Sequence, residues 1–477
     1  MNIIKTNSRI IQIKVSKGNN SWYFNDSFAL LPSSLYKLTH GFNVKHKKKD
    51  INYEEMKDSE ETREYLRHDT VGLYEVLEMF ESMVAKFGVG LEMTSARQAL
   101  NMYKTFMKYP LPNYEDKEEF IRRGYYGGRC EIFKMREQDL NYYDINSLYP
   151  FCMRNFEMPV GIPMIVHGNP LKEGISFCEA IVNIPESISV PPLPFRMKLK
   201  SGSKLVFPVG KIKGVWDRLE LENAERMGCT VKHIKSLCFS GDMIFKDYVD
   251  RWYKIKNESQ KDSSMYYISK LMLNSLYGKF GQKRESKKMI MNPKQCVGLY
   301  PLYEDYEIYE KDCYSHATHI LPAISAHVTA IARLELYKWI EKAGFGVVYC
   351  DTDSIVTQNK LPTSIKIGAM KLEKKTKDGI FLLPKLYAFV EGEVRAKGYS
   401  QAKEYINFRS FEKALMSDDY SDFNIIFERF GLFSENIRRH NPIVSMVTRK
   451  KSIKSRYDKR IRIENFETKP LSVVDFC

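Results

Sequence analysis

The chain has 477 residues, enough for a large core and roughly two to four domains or subdomains. Lys and Arg number 74 against 59 Asp and Glu, so a formal charge of +15 favours a polyanionic partner, nucleic acid first, over a merely solubilising excess of charge. No apolar run reaches the ~18 residues of a membrane span, MNIIKTNSRIIQIKVSKG lacks the apolar block of a signal peptide, and nine singly placed cysteines suggest neither a zinc site nor a disulfide framework. A soluble protein of a reducing compartment is expected, without membrane contact. No internal repeat stands out.

In chain order, residues 1 to about 60 read as strands and then as a charged stretch containing KHKKKD at 45–50. A helix follows in EYLRHDTVGLYEVLEMFESMVAKF, where Tyr65, Asp69, Leu73, Val76, Leu77 and Phe80 recur at helical spacing. Glycine and aromatics dominate 125–150, and 158–210 is rich in proline and short apolar runs, the texture of strands and loops. Helical signal returns over about 243–280 and 322–343, with a polar, irregular stretch between. The tail from 401 is helical in part and ends strongly basic.

The stretch GVVYCDTDSIVTQ, 346–358, sets Asp351 and Asp353 in an apolar, β-branched run. On a strand, residues i and i+2 share a face, so both carboxylates leave the backbone on one side. At about 4 Å and an effective dielectric near 20 they repel by roughly 4 kcal/mol, which a divalent cation would offset. The alternative is a hairpin turn with solvated Asp and Thr at its tip.

A third carboxylate, Asp144, ends an aromatic strand in LNYYDINSLYPFCM, where Asn146 and Ser147 turn the chain toward Tyr149 and Pro150. Two or three carboxylates on adjacent strands can hold two metals about 3.5–4 Å apart, as phosphoryl transfer requires. Between these stretches, SKLMLNSLYGKFG at 269–281 puts Lys270, Asn274, Tyr277 and Gly278 on one helical face and Ile268, Met272 and Leu276 on the other. Such a lysine can meet a triphosphate and such a tyrosine a base. An amphipathic core helix with a solvated lysine has the same pattern.

The ordered set DxNSLYP, KxxxNSxYG and YxDTDS resembles the three polymerase motifs of the family B DNA polymerases. IRRGYYGGR at 121–129 resembles the YxGG linker motif of the protein-primed subgroup found in phages, adenoviruses and linear organellar plasmids, although Gly127-Gly128 alone would be an ordinary tight turn. KLYAF at 385–389 and KGYS at 397–400 resemble its later primer-side motifs.

The resemblance implies an α+β right-hand polymerase with a partial, ribonuclease H-like exonuclease domain: 1–105 exonuclease-like, 106–157 palm with linker, 158–240 a first insertion, 241–281 fingers, 282–316 a second insertion, 317–400 palm, and 401–477 thumb. It implies that Asp144 and Asp353 bind two Mg²⁺ or Mn²⁺ ions, with Asp351 assisting. Lys270 would bind the triphosphate, Tyr149 exclude a 2′-hydroxyl, Tyr277 line the base-pair pocket and Asn274 support both. Lys256, with Arg251 and Lys254, is a further phosphate candidate. Lys385, Tyr387 and Lys397 would hold the primer, and Tyr125, Gly127, Gly128 and Arg129 the template. TRKKSIKSRYDKRIR, 448–462, would suit a thumb on duplex phosphates or a solvated basic helix.

The implied partners are template-primer DNA, deoxynucleoside triphosphates and a terminal priming protein. A mitochondrial location is implied if the chain comes from an organellar plasmid. At the amino end only the third exonuclease motif has a match, Tyr65 and Asp69, and Asp26 resembles an element before it. The chain is therefore expected to begin within that domain and to lack proofreading, with Asp69 capping or solvating a helix face. A catalytically inactive nucleic-acid-binding relic is the alternative. A reverse transcriptase is weaker still, since that class lacks KxxxNSxYG.

Overall fold

The computed structural model describes residues 1–5, 10–49, 59–199, 202–291, 293, 296, 298–303, 307–397, 405–430, 446–453 and 456–473. They form two units, one of Met1–Leu111 with Ile244–Ile320, the other of Pro112–Met243 with Leu321–Cys477. Gly398, Tyr399 and Ser400 of the second primer-side motif, and Asp50 of the basic run, lie outside the described residues.

The first unit is built on a six-stranded antiparallel sheet in the order Tyr300–Tyr303, Ile308–Tyr314, Glu285–Met291, Asn2–Lys5, Ile10–Lys17, Asn20–Asn25. Asn2 pairs with Ile290, so the segment expected as an irregular second insertion is ordered strand that completes the amino-terminal sheet. Met289 on one strand and Ile308 on its neighbour are buried and anchor these strands within a polar sequence.

The long helix spans Glu60–Ala85, capped by the Ser59 hydroxyl, with Glu60 and Glu61 in the first turn where the helix dipole favours acids. Its buried stripe is Tyr65, Gly72, Val76, Phe80 and Val84. Gly72 is required by close approach, because a Cβ there would stand 2.2 Å from the His46 carbonyl oxygen. Lys246–Glu258 and Ser264–Ser275 are separate helices, and the chain bends at Leu276 before the turn Tyr277–Phe280. Tyr103, Phe245, Tyr248, Trp252 and Phe280 interlock in the core behind them.

The second unit contains a seven-stranded antiparallel sheet, Val394–Ala396, Leu386–Phe389, Met370–Leu383, Arg136–Ile145, Ser354–Thr357, Val347–Asp351 and Cys130–Ile132 in that order. The helix Phe408–Ser417 covers one side of it with Phe411, Ala414 and Leu415. Residues 158–242 form a second antiparallel sheet, Gly210–Asp217, Ile175–Ile184, Thr230–Asp242 and Met158–His167.

The helix Pro322–Lys342 is buried from Pro322 through Arg333 and joins these parts. Its polar residues are each satisfied: Arg333 pairs with Glu220 at 2.8 Å, and His327 Nδ1 meets Asp217 at 2.5 Å. The basic tail is not a helix: Met446–Ser452 and Arg460–Arg462 are strands, and Arg460 is buried against Glu131.

Candidate active site

Asp351 leads into a hairpin turn that contains Asp353, so the two aspartates do not share one strand face. Asp351 closes the strand Val347–Asp351, Thr352 and Asp353 make the turn, and Ser354 pairs back with Asp351. Thr352 takes a left-handed φ of 63°, and its N–H donates to the Arg129 carbonyl at 2.7 Å. Asp353 is tied in by its own N–H to the Asp351 carbonyl and by its carbonyl to Ile145 N–H, both at 2.7 Å. Alternation fails because a two-residue turn resets it. The turn is only half exposed, so its carboxylates are not the solvated tip of an ordinary loop.

Asp144 reaches the same end of the sheet on the next strand, in register with Ser354. Asp351 is occupied: Lys385 Nζ lies 3.4 Å away, and Tyr349 and Thr352 hydroxyls donate to it at 3.4 and 3.2 Å. Asp353 is not so served. Burial pushes its acid up, the Asp351 carboxylate adds to this, and Lys385 opposes it.

Among the described residues no group of three or more His, Cys, Asp or Glu side chains is gathered to hold a metal. A pair fits the chemistry better. Mg²⁺ is commonly held by one or two carboxylates with substrate phosphates completing its shell, and Asp353, half-buried and with its acid raised by burial despite Lys385, suits that use.

Ahead of this end, Ser147 adopts φ 52° and starts the helix Leu148–Asn155, leaving Tyr149 half-buried one turn from Asp144. The turn is fixed by the Asn146 side chain, which donates to the Ser364 carbonyl at 2.8 Å, and by Gly368, whose Cβ position is filled by the Phe151 ring.

A cleft beside Asp351 is lined by Lys385, Tyr387 and Lys397, the three residues expected on the primer side, and also by Tyr142 and Arg395. Tyr142 donates to the Ser354 hydroxyl at 3.1 Å. Neither of these two was named from sequence, yet Tyr142 stands at i−2 from Asp144 on one strand, which puts both on one face. Arg395 needed the strand pair Tyr387↔Arg395.

The linker residues divide. Gly127 is exposed and Tyr125 half-buried, but Arg129 is 1% exposed, bonded to Glu131 at 2.7 Å and to the Pro191 carbonyl at 2.9 Å, with its guanidinium 4.0 Å from the Phe207 ring centre. Arg129 therefore braces the fold and has no guanidinium to offer a template. Gly128 packs against Thr352, where a Cβ would come within 2.9 Å.

In the first unit, Lys270 and Asn274 are exposed and Tyr277 half-buried, opposite the buried Ile268, Met272 and Leu276. Lys256 approaches Lys270 closely enough that burial, aided by that second cation, lowers its ammonium. Arg251 and Lys254 are exposed. Asp26 is the N-cap of the short helix Ser27–Leu30, accepting from Phe28 N–H at 3.0 Å. Asp69 neither caps nor solvates its helix: Lys48 Nζ binds it at 2.5 Å and also contacts the Tyr65 hydroxyl and ring. The expectation failed because Lys48 is 21 residues distant in sequence.

No helix among the described residues is long and apolar enough to cross a membrane. Residues 1–60 and 59–365 match the family described as DNA polymerase type B, organellar and viral. A chain from Neurospora intermedia named "Probable DNA polymerase" is 29% identical over 475 residues, covering 82% of this chain and 49% of its own. The "DNA-directed DNA polymerase" of Enterobacteria phage PRD1 is 28% identical over 431 residues, covering 84% of this chain and 72% of its own. The chain thus spans about half the length of the Neurospora relative. The structure of phi29 DNA polymerase complexed with primer-template DNA and incoming nucleotide substrates superposes with a TM-score of 0.73 at 20% identity, covering 93% of this chain and 83% of that one. That likeness shows the α+β right-hand polymerase fold with its exonuclease-like part. The chain belongs to the organellar and viral type B DNA polymerases.

Proposed function

We propose that the chain is a template-directed DNA polymerase that adds deoxynucleotides by phosphoryl transfer and replicates a linear DNA element from a protein primer. The observation that carries this is the register of Asp144 against Ser354, which sets a second strand's carboxylate beside the Asp351–Asp353 turn. Asp144 and Asp353 would hold two Mg²⁺ ions, with Mn²⁺ able to replace them, and such ions when bound stabilise the charge on the attacking and leaving oxygens. Lys385, by pairing with Asp351, keeps that carboxylate from adding its full repulsion to the other two.

Lys385, Tyr387 and Lys397 line a groove suited to a primer's last phosphates, while Lys270 and Lys256 present the cations for a triphosphate. Tyr149 would stand under the sugar and Tyr277 beside the nascent pair, with Asn274 supporting both. Tyr125 and Gly127 remain candidates for the template. The YxGG match and the segments 158–240 and 282–316 motivate the terminal priming protein as a partner.

Primer extension with Mg²⁺ and deoxynucleoside triphosphates tests the activity, and covalent labelling of a candidate priming protein's hydroxyl tests the priming. Extension without any labelling would leave a DNA-primed polymerase. No extension by the folded chain would refute the catalytic reading.

A further inference from the structure

The first unit holds a cavity lined by none of the residues so far given a role. The helix Ser95–Lys104 buries Ala99, Leu100, Met102 and Tyr103, which leaves Arg97, Asn101 and Lys104 on its other side at i, i+4 and i+7. These three line the cavity together with Thr318 and His319. The loop that carries Thr318 and His319 is held by Arg284, 4% exposed, which donates to the carbonyls of Ser315, Ala317 and Ile320 at 3.0, 3.5 and 3.4 Å.

The lining is cationic and under-used. Arg97, Lys104, Lys279 and Arg284 all act on His319, and together with burial, the largest cause, they bring its imidazole down to about 4. Among the described residues Glu92 answers them, bound by Arg97 at 2.7 Å and by Asn101. His319 Nε2 is buried with no hydrogen-bond partner, and among the described residues the Lys104 ammonium and the Thr318 hydroxyl have none either. A buried imidazole nitrogen without a partner, beside the exposed cations Arg97 and Lys104 and the exposed Thr318 hydroxyl, suits an anion with several oxygens.

We propose that this cavity binds one backbone phosphate of a single DNA strand, held by Lys104 and Arg97 through charge-assisted hydrogen bonds and by Thr318 and His319 as neutral donors. A tetrahedral oxyanion can meet donors from helix and loop at once, which a planar carboxylate does less well. The strand as source rests on reading the chain as a DNA polymerase.

The test uses the whole chain, a fluorescent single-stranded oligodeoxynucleotide, and inorganic phosphate. Lys104→Gln and, separately, Thr318→Val are expected to weaken oligonucleotide binding, with Lys104→Gln lowering the slope of log K against log salt by about 0.7, the value for one lost single-strand phosphate. In the chain labelled at histidine, the His319 resonance is expected to move on adding the oligonucleotide, and to stop moving in Lys104→Gln. Movement with inorganic phosphate but not with the oligonucleotide would overturn the strand assignment in favour of a free-phosphate site. Unchanged slopes with a static His319 signal would overturn the site and leave the DNA-binding reading intact. Failure of the unaltered chain to bind the oligonucleotide would overturn both.

Discussion

Gly128 lies so close to Thr352 that a Cβ on the glycine would fall 2.9 Å from both the Cγ2 and Oγ1 of the threonine. The linker thus sits against the turn that carries Asp353. Gly128→Ala is expected to push Thr352 aside and lower the extension rate by about 10²-fold, as an ångström-scale displacement of reacting groups can. Binding of template-primer should stay within a few-fold. A normal rate in single-turnover extension would show that the turn yields without consequence.

Asp144→Asn and Asp353→Asn should abolish incorporation while DNA binding survives, with Asp351→Asn milder or equal. Asp353 also carries a stability signature. Its folded acid is raised by burial and by Asp351 against the pull of Lys385, so the folded state holds that proton more readily than the unfolded one. The associated stability is present below the ordinary aspartate range and is lost as pH rises through the raised value. Asp353→Asn should therefore melt higher than the unaltered chain at pH 7, with the gap closing toward pH 4. Added Mg²⁺ should stabilise only the unaltered chain. Equal melting points across that range would remove the argument from burial.

Tyr149→Val should admit ribonucleotides, since removing the ring opens room for a 2′-hydroxyl. The ratio of deoxy to ribo incorporation is expected to fall by at least about 10²-fold. An unchanged ratio would make Tyr149 a packing residue.

Both His327 nitrogens face acceptors, the Asp217 carboxylate at 2.5 Å and the Glu157 carbonyl at 3.1 Å. Asp217 in turn caps the helix Arg218–Arg226. His327→Leu leaves that buried carboxylate without its hydrogen-bond partner and is expected to cost about 1–3 kcal/mol. Asp217→Asn in the same chain should recover part of the loss. Urea unfolding of the two single variants and the double variant measures the coupling.

Asp69→Ala should leave extension within two-fold, roughly the scatter of an uninvolved residue, and cost about 1–2 kcal/mol through its bond to Lys48. With that lysine on the carboxylate, the chain is expected to remove no mismatched 3′ nucleotide. Asp69-dependent removal by the purified chain would refute this.

Much of this was legible because local chemistry dictated it. The helical faces of 60–85 and 264–275 followed from apolar spacing; Tyr65, Val76 and Phe80 on the first and Ile268 and Met272 on the second are buried as expected, while Leu73 and Leu77 are only half-buried. The cluster of Asp144 with the DTD turn came from motif order, although strand alternation misjudged the turn, because Thr352's left-handed backbone cannot be seen in a β-branched run. What stayed hidden depends on distant pairing. Arg129 looks like a free cation until Glu131 and Pro191 close around it, and the polar 285–314 stretch carries too weak an alternation to announce its strands. The helix Arg218–Arg226 escaped because it is short and mostly charged, its start marked only by Asp217.

The pairing of Asn2 with Ile290 has a consequence for the order in which this chain can mature. Asn2–Lys5 pairs on one side with Ile10–Lys17, close by in sequence, but its partner on the other side is Glu285–Met291, far along the chain. Until that strand docks, the edge offers unpaired N–H and C=O groups to any passing strand. Contacts of such long sequence separation form slowly, because loop closure must precede the reward. Weakening the late strand, for instance by proline at Met289, should thus raise aggregation of the nascent chain more than it alters the activity of molecules that escape.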